Sequence, residues 1–283
     1  MPDLHFPENA RQRLAVTSYP FRAFILSPEN KSSDAQKQMM DLKDFPAFVV
    51  KEFGVYNINP LTSHFRSTDA RYCDEFREAV SKAGSHMVDL GLGGRPFYDP
   101  DEAKRKDAVA YGKQGIDIAV IVQSPSVRQH VSGRKGLKPD VGLAVESLGQ
   151  LAEYGSKRNI IVNLENDSPV AEDPFFLVEI IERVNSPYLR ALPDFGNSLM
   201  GHDREFNERA VKAMFKHAYG IAHVKDTVLS HDGKVYSVDL ESMFKIAKAG
   251  GYRGYFSMEY DTGSGDPLQG TKNLVEKSLK YLT

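Results

Sequence analysis

Four short apolar segments in the second half of the chain each stop abruptly at a side chain that can bind a metal ion. They end at Glu165, Asp194, His223 and Glu259. An apolar run that stops at a charged residue is typical of the carboxyl end of a buried parallel strand. Because such ends meet on one face of an α/β structure, we expect the four side chains to lie close together. This pattern predicts a site for a single divalent cation.

The alternation of an apolar run with a helical pattern continues along the whole chain. Predicted strands begin near residues 14, 55, 86, 117, 159, 190, 220 and 254, and each precedes a segment of helical periodicity. Intervals of roughly 30 to 40 residues are typical of βαβ units with right-handed crossovers. A doubly wound sheet would alternate in the same way, but eight regular units without a dinucleotide-binding fingerprint favour a closed barrel. The predicted fold class is therefore α/β, a single (β/α)8 TIM barrel.

The predicted barrel occupies the whole chain. No linker and no change of composition divides residues 1–283, so one domain is expected, with residues 1–13 as a polar N-terminal lead-in. The most β-like run is 116–122, and it is predicted to be the fourth strand, ending at Gln123. The helices are predicted near 42–53, 69–83, 99–114, 140–157, 174–185, 206–217, 239–249 and 267–282.

Composition and charge exclude several classes of protein. Hydrophobic residues make up 41% and charged residues 26% of the chain, which is typical of a globular protein. No apolar segment reaches the roughly 20 residues that cross a bilayer, so no membrane partner is expected. The formal net charge of −2 gives no general attraction to a nucleic-acid backbone, so no nucleic-acid partner is expected either. The single cysteine, Cys73, excludes an internal disulfide.

The first 13 residues contain neither an apolar core nor a small-residue cleavage pattern, so they do not read as a signal peptide. This predicts a cytoplasmic protein. An exported mature form whose signal has been trimmed is the alternative.

The donor atoms of the predicted cluster narrow the choice of metal. Three carboxylates and one imidazole suit Mn²⁺, Mg²⁺, Co²⁺ or Zn²⁺, and the majority of hard oxygen donors argues against copper. A bound cation also relieves the repulsion between acids that share a pocket. Such an ion can polarise a carbonyl or hydroxyl oxygen of a small polyol or hydroxyketone. The alternative is that the four residues are ordinary polar caps of strand ends.

Three residues of this region are candidates for catalysis. Glu165 and Glu259 end the outer two of the four strands, so they could remove and return a proton on opposite sides of a substrate carbon. Lys225 follows His223 by two residues and therefore projects from the same side of the strand, where it could stabilise an enediolate oxygen. The alternative for Lys225 is a surface lysine paired with Asp226.

Other residues near predicted strand ends are candidates for substrate binding. Tyr19 ends the first strand and offers an aromatic wall to the apolar face of a sugar, and His64 follows the second strand by a few residues. Asn59 and Gln123 end the second and fourth strands, where their amides could bind hydroxyl groups. Asn197 lies just beyond the sixth strand. The alternative for the aromatic residue is simple packing at the barrel end.

Together these motifs resemble the xylose isomerase-like TIM barrel superfamily of sugar phosphate isomerases and epimerases, the AP endonuclease 2 family type. The resemblance rests on LEND around Glu165, PDFGNS around Asp194, AHVKD around His223 and SMEY around Glu259. It implies that these four residues bind one divalent metal ion and that the two glutamates form the acid/base pair. It also implies a small-molecule sugar or polyol as the substrate, and a homo-oligomer, which is usual in the family.

Two positions depart from the pattern of this superfamily. Asn197 stands where the 3-epimerases and endonuclease IV have a histidine, and Lys225 stands in place of an arginine that epimerases have somewhat further along. Endonuclease IV also has an Asp-x-His pair, which is missing after Asp226. DNA repair is therefore not expected of this chain.

The sequence thus predicts a divalent-metal-dependent isomerase or epimerase that acts on a small sugar or polyol derivative through an enediolate. A lyase of the inosose dehydratase kind is one alternative, because the same enediolate can expel a neighbouring hydroxyl group. A non-catalytic sugar- or metal-binding barrel is another, and the departures at Asn197 and Lys225 favour it.

Overall fold

Short strands alternate with helices throughout the computed structural model, which describes residues 3–34, 39–132, 137–167, 173–230, 233–261 and 265–283. The strands are β1 (Leu14–Thr17), β2 (Asn57–Asn59), β3 (His86–Met87), β4 (Leu90–Gly91), β5 (Ser126–Gln129), β6 (Ile161–Glu165), β7 (Leu189–Leu192), β8 (Ile221–Val224), β9 (Thr227–Leu229), β10 (Val235–Ser237) and β11 (Tyr255–Met258). The α-helices are α1 (Phe45–Phe53), α2 (Ala70–Lys82), α3 (Glu102–Ile121), α4 (Val141–Arg158), α5 (Pro174–Val184), α6 (Arg204–Phe215), α7 (Leu240–Ala249) and α8 (Pro267–Leu282). None of these described helices is both long enough and apolar enough to cross a lipid bilayer.

All of these strands except β9 and β10, which form a separate antiparallel pair, close into a parallel barrel. One sheet has the order β3-β2-β1-β11-β8, and a second sheet has the order β4-β5-β6-β7. The two sheets join on one side because β3 and β4 are consecutive parts of the segment 86–91. On the other side, isolated parallel bridges pair Asp194 with His223 and Ala191 with Ala218. This confirms the (β/α)8 barrel, and it places two of the predicted metal-binding residues where the barrel closes.

The predicted fourth strand is wrong. Residues 116–121 form the end of α3, whose buried residues repeat at helical spacing as far as Ala119, and Val122 is its C-cap. The helix is closed by Gln123, which has a left-handed backbone with φ 58°. Helices more often end this way at glycine, so the sequence lacks the usual stop signal. The true fourth strand of the barrel is β5, and its single aliphatic residue, Val127, gives it little of the apolar character of a buried strand.

Aspartate side chains determine where most of the helices begin. In each of α2 to α8 the N-cap carboxylate accepts a backbone N–H from the first turn. These caps are Asp69, Asp101, Asp140, Asp173, Asp203, Asp239 and Asp266. A cap of this kind contributes on the order of 1 kcal/mol to stability. Seven aspartates of the chain therefore serve to fix where helices begin.

Side chains of the strands alternate between the helices and the inside of the barrel. Ala222 and Val224 of β8 belong to the large hydrophobic core, whereas Ile221 packs in a small separate cluster. Residues two positions apart on a strand share a face, so Ile221, His223 and Lys225 point to the inside. The side chains of His223 and Lys225 therefore project from the same side of the strand, as the sequence predicted.

Gly155 of α4 allows a close approach to the segment that leads into β6, the strand that ends at Glu165. A methyl group on Gly155 would lie 2.4 Å from the carbonyl oxygen of Ile160, a backbone atom. We expect Gly155→Ala to lower the free energy of unfolding by about 1–3 kcal/mol in urea titrations, because the helix must shift.

Gly149 of the same helix is the matched control for this prediction. Among the described residues, nothing lies within 4 Å of a methyl group placed there. Gly149→Ala should be neutral or stabilise the protein by up to about 1 kcal/mol, because alanine favours helix. Equal effects of the two substitutions would contradict the close approach at Gly155.

Candidate metal centre

Four polar side chains converge at the carboxyl ends of neighbouring strands. Glu165 and His223 lie in β6 and β8, Asp194 comes two residues after β7, and Glu259 directly follows β11. One ligand atom from each residue lies within 4.8 Å of the others, and all four residues are buried. The structure therefore brings together the residues that the sequence predicted, and the group could hold a metal ion.

Hydrogen bonds below the cluster hold the ring of His223 in one orientation. His223 Nε2 donates to Oδ1 of Asn59 over 2.8 Å. The amide of Asn59 is itself oriented, because its Nδ2 donates to Asp89 at both the backbone oxygen (3.3 Å) and Oδ2 (3.2 Å). Nδ1 of His223 then faces Glu165 and Glu259, at 2.6 and 3.1 Å. A partner of this kind fixes which nitrogen of a metal-binding histidine is available.

The buried carboxylates require positive charge beside them. Burial by itself would lower the pKa of His223, but the carboxylates of Glu165 and Glu259 raise it to about 9. Burial raises the pKa of Asp194 to about 6. Burial would also raise the pKa of Glu165, but His223 and Arg128 hold it well below its ordinary value. A divalent cation could supply this positive charge in place of the proton on the imidazole.

The carboxylate of Asp194 has the arrangement expected of a metal ligand. Its Oδ1 accepts the backbone N–H groups of Gly196 and Asn197, both at 2.8 Å. Its Oδ2 is buried and has no hydrogen bond from any described residue, although Lys225 Nζ lies 3.4 Å away. A buried carboxylate oxygen in this state is costly unless a cation binds it. The four residues therefore suit a divalent metal ion, as their donor atoms suggest.

Lys225 lies inside the site and not on the surface. Its Nζ donates to Oδ1 of Asn197 at 2.8 Å and lies 3.0 Å from Oε1 of Glu259. Burial would lower the pKa of this lysine, but Asp194 and Glu259 raise it well above its ordinary value. The alternative pairing with Asp226 is wrong, because Asp226 pairs with Lys277 at 2.6 Å.

A cavity of about 380 Å³ opens beside the cluster. Two of the predicted substrate-binding residues, Tyr19 and Asn197, form part of its wall together with Lys225 and Glu259. Cavities of this size accommodate small molecules. Glu165 lies behind this wall and is only 1% exposed.

The other predicted substrate-binding residues occupy different places. Asn59 lies beneath the cluster, where it holds His223. His64 is buried, with Nδ1 2.8 Å from Oγ of Ser18, and it does not belong to the described wall of the cavity. Gln123 closes α3, so it precedes β5 and does not lie at the carboxyl end of a strand, because the predicted fourth strand is helical.

The structure adds two residues that the sequence analysis missed. Arg128 Nη1 and His130 Nε2 each lie 2.6 Å from Oε2 of Glu165, and both residues line the cavity. His130 Nδ1 also lies 3.3 Å from Oδ2 of Asp167. These residues were missed because the fourth strand was placed too early in the chain. The signal that could have found them is their two-residue spacing at the end of the segment SVRQH.

Fold and site together define a class of protein, the parallel barrels that carry a carboxylate and histidine cluster at the carboxyl ends of their strands. The family model described as xylose isomerase-like TIM barrel matches residues 49–283. The chain belongs to this family. A search of curated proteins finds no match to the sequence.

Several solved structures have the same fold. D-psicose 3-epimerase from Clostridium cellulolyticum H10 is 13% identical with a TM-score of 0.69, and the match covers 95% of this chain and 97% of that one. A xylose isomerase-like TIM barrel protein from Mycobacterium smegmatis, in complex with magnesium, is 18% identical with a TM-score of 0.71 over 97% and 98% of the two chains. The 3-keto-D-glucoside 4-epimerase from E. coli is 14% identical with a TM-score of 0.67 over 96% and 98%. At these identities the likeness establishes the fold alone.

We expect protein purified without chelator to contain about one equivalent of Mn, Mg, Co or Zn by mass spectrometry of its metals. Asp194→Asn should remove the metal while its Oδ1 still accepts the two backbone N–H groups, and Glu165→Gln should remove it as well. The matched control is Glu153→Gln, on the exposed surface of α4. Metal retained by both site variants at the level of this control would contradict the assignment.

Burial lowers the pKa of His64 to about 4, compared with about 6.5 in an unfolded chain. Between these values the unfolded chain binds a proton that the folded protein excludes, so stability falls as the pH decreases. We expect His64 to account for about 2 kcal/mol of lost stability between pH 7 and pH 5.

Urea unfolding of the protein and of His64→Asn at the two pH values measures this contribution. The asparagine oxygen can still accept from Ser18, but the side chain does not titrate. The variant should therefore lose less stability than the parent protein by this amount. Equal losses in the two proteins would show that His64 does not exclude the proton.

Proposed function

We propose that the protein is a divalent-metal-dependent isomerase or epimerase of a small sugar or polyol derivative. The observation that carries the proposal is a cavity whose wall contains Glu259 and Lys225 beside a complete buried ligand set. Three relatives of the same fold are named as epimerases of D-psicose, L-ribulose and 3-keto-D-glucoside, which supports this class of reaction.

Glu165, Asp194, His223 and Glu259 would hold the metal ion, which when bound would polarise a substrate carbonyl and acidify the neighbouring C–H bond. The chain's own contribution begins with Glu259 on the cavity wall. Burial would raise the pKa of this carboxyl, but Lys225 and His223 lower it. The carboxylate is therefore ionised at neutral pH and can accept a proton from a substrate carbon.

Glu165 is the proposed partner that returns the proton. Its Oε1 lies 2.6 Å from His223, and its Oε2 lies 2.6 Å from both Arg128 and His130. These contacts keep Glu165 behind the wall of the cavity, whereas Glu259 forms part of that wall. Glu259 therefore has the more direct access to a bound substrate.

Lys225 is proposed to stabilise negative charge that develops on a substrate oxygen. Its ammonium group lies on the cavity wall, close to Glu259, and it remains protonated because its pKa is raised. The side-chain oxygen of Asn197 holds the ammonium group in place. A preorganised cation in a water-poor site costs no reorganisation when the charge appears.

Deuterium exchange tests the proposed reaction. We expect Mg²⁺-loaded protein in D₂O to exchange the hydrogen next to the carbonyl of at least one ketose or inosose, as followed by NMR. Glu259→Gln should slow this exchange by about 100-fold or more, because the base and a metal ligand are lost together. Lys225→Gln should slow the exchange while the bound metal is retained, because the lysine is not a metal ligand.

Three results distinguish the possible functions. Exchange without loss of any atom other than the exchanged hydrogen supports an isomerase or epimerase, whereas a product lighter by one water indicates a lyase. Bound metal without exchange on any member of the panel would contradict the enzyme assignment and indicate a binding protein. Glu153→Gln again serves as the control, because it changes a glutamate outside the site.

A further inference from the structure

Arg128 is a buried cation that the proposed reaction uses only to hold Glu165 in place. Its side chain is 8% exposed and forms part of the cavity wall. One nitrogen, Nη1, bonds to Glu165, and Nε is buried without a hydrogen bond to any described residue. A guanidinium group has five N–H donors and is stabilised best by bidentate pairing with an oxyanion. Glu165 provides only one of the two bonds of such a pairing.

The carboxylate that bonds to Arg128 is shared among several groups. Oε1 of Glu165 lies 2.6 Å from His223, and Oε2 lies 2.6 Å from His130 as well as from Arg128. Glu165 also belongs to the set of residues that could hold a cation. Its negative charge would then be divided between that cation and the guanidinium. Nε of Arg128 would still lack an acceptor among the described residues, and an oxyanion beside it could supply one.

Glycine makes room for the guanidinium group on the cavity wall. A methyl group on Gly91 would lie 2.6 Å from Nη2 of Arg128 and 2.4 Å from the side chain of Leu61. Gly91 and Gly93 both line the cavity. The Nη2 edge of Arg128 therefore occupies space that any larger residue at position 91 would take.

A second donor without a partner belongs to the same wall. Oδ1 of Asn197 accepts from Lys225, which orients the amide. Its Nδ2 is buried and donates to no acceptor among the described residues. A buried donor without an acceptor is costly, so donors of this kind indicate where the oxygen atoms of a ligand bind.

We propose that Arg128 binds a carboxylate group of the substrate, so that the protein acts on a small sugar acid or a related hydroxy- or oxo-carboxylate. The identity of the reaction rests on the proposed function, but the binding of the acid does not. A singly charged carboxylate fits better than a phosphate, because Asp167 and Asp261 also line the cavity and would repel a dianion.

Pairs of compounds that differ only in the acid group test this inference. Isothermal titration of Mg²⁺-loaded protein compares D-gluconate with D-glucitol, D-glucuronate with D-glucose, and glycerate with glycerol. We expect at least one acid to bind about tenfold or more tightly than its neutral partner, the ratio that one charge-assisted hydrogen bond supplies. Arg128→Gln should abolish the difference, because it weakens binding of the acid more than binding of the neutral partner. Arg128→Lys should restore part of it, because the charge remains without the planar fork.

Because Arg128 also bonds to Glu165, its replacement changes a contact of the metal-binding residues, so a second variant that keeps the arginine is needed. Gly91→Ala keeps the charge at position 128 but crowds Nη2, so it should weaken binding of the acid while the metal content stays at the wild-type level. Thermal unfolding of this variant is measured as well, because the methyl group also meets the side chain of Leu61. Metal content and unfolding of the Arg128 variants are measured in parallel. Loss of acid binding only in variants that have lost the metal would overturn the proposed role of Arg128.

Other results also contradict the inference. Equal affinity for acids and neutral partners would overturn it, as would an acid preference that survives in Arg128→Gln, or tighter binding of inorganic phosphate than of any carboxylate. These experiments distinguish a failure of the proposed reaction from a failure of the proposed carboxylate site. Acid binding without deuterium exchange would overturn the reaction and keep the carboxylate site, whereas exchange on neutral ketoses without acid preference would do the reverse.

Discussion

The balance of charge around three buried carboxylates constrains the rest of this site. Glu165, Asp194 and Glu259 lie within a few ångströms of one another and away from solvent. Removing such groups from water is costly unless positive charge lies beside them. Part of that positive charge comes from Lys225 and from the protonated imidazole of His223, because the pKa of each group is raised. A divalent cation could replace the proton on His223, which is why the same geometry supports metal binding.

This cluster depends on a layer of hydrogen-bonded polar side chains inside the barrel. Barrel interiors are generally filled by branched apolar side chains. Here Asp89 is fully buried and accepts hydrogen bonds from Asn59, Ser126 and Asn163. The layer orients the amide of Asn59, and that amide orients His223. A buried polar network of this kind contributes more to the orientation of a functional group than to the stability of the core.

The misplaced fourth strand had a specific effect on the predicted site. The run 116–122 has the composition of a strand, but it continues the helical phase of α3 and ends at Gln123 without a glycine. Tertiary packing, and not local propensity, determines that these aliphatic residues are helical. The consequence was that β5 was overlooked, and Arg128 and His130 with it. Helix starts were easier to predict, because aspartate caps act through hydrogen bonds within a single turn.

The sequence by itself determined the repeat of strand and helix that builds the barrel, because apolar runs alternate with helical patterns along the chain. It also determined the four residues that could hold a metal ion, because each of them ends an apolar run. Only the tertiary structure decided what surrounds those residues. Arg128 and Glu165 are far apart in the chain, and their contact depends on the parallel register that pairs Arg128 with Asn163 across β5 and β6. The pKa values of the cluster likewise depend on burial and on neighbours from other strands. Such distances follow from closing the barrel, which no single segment of the chain encodes.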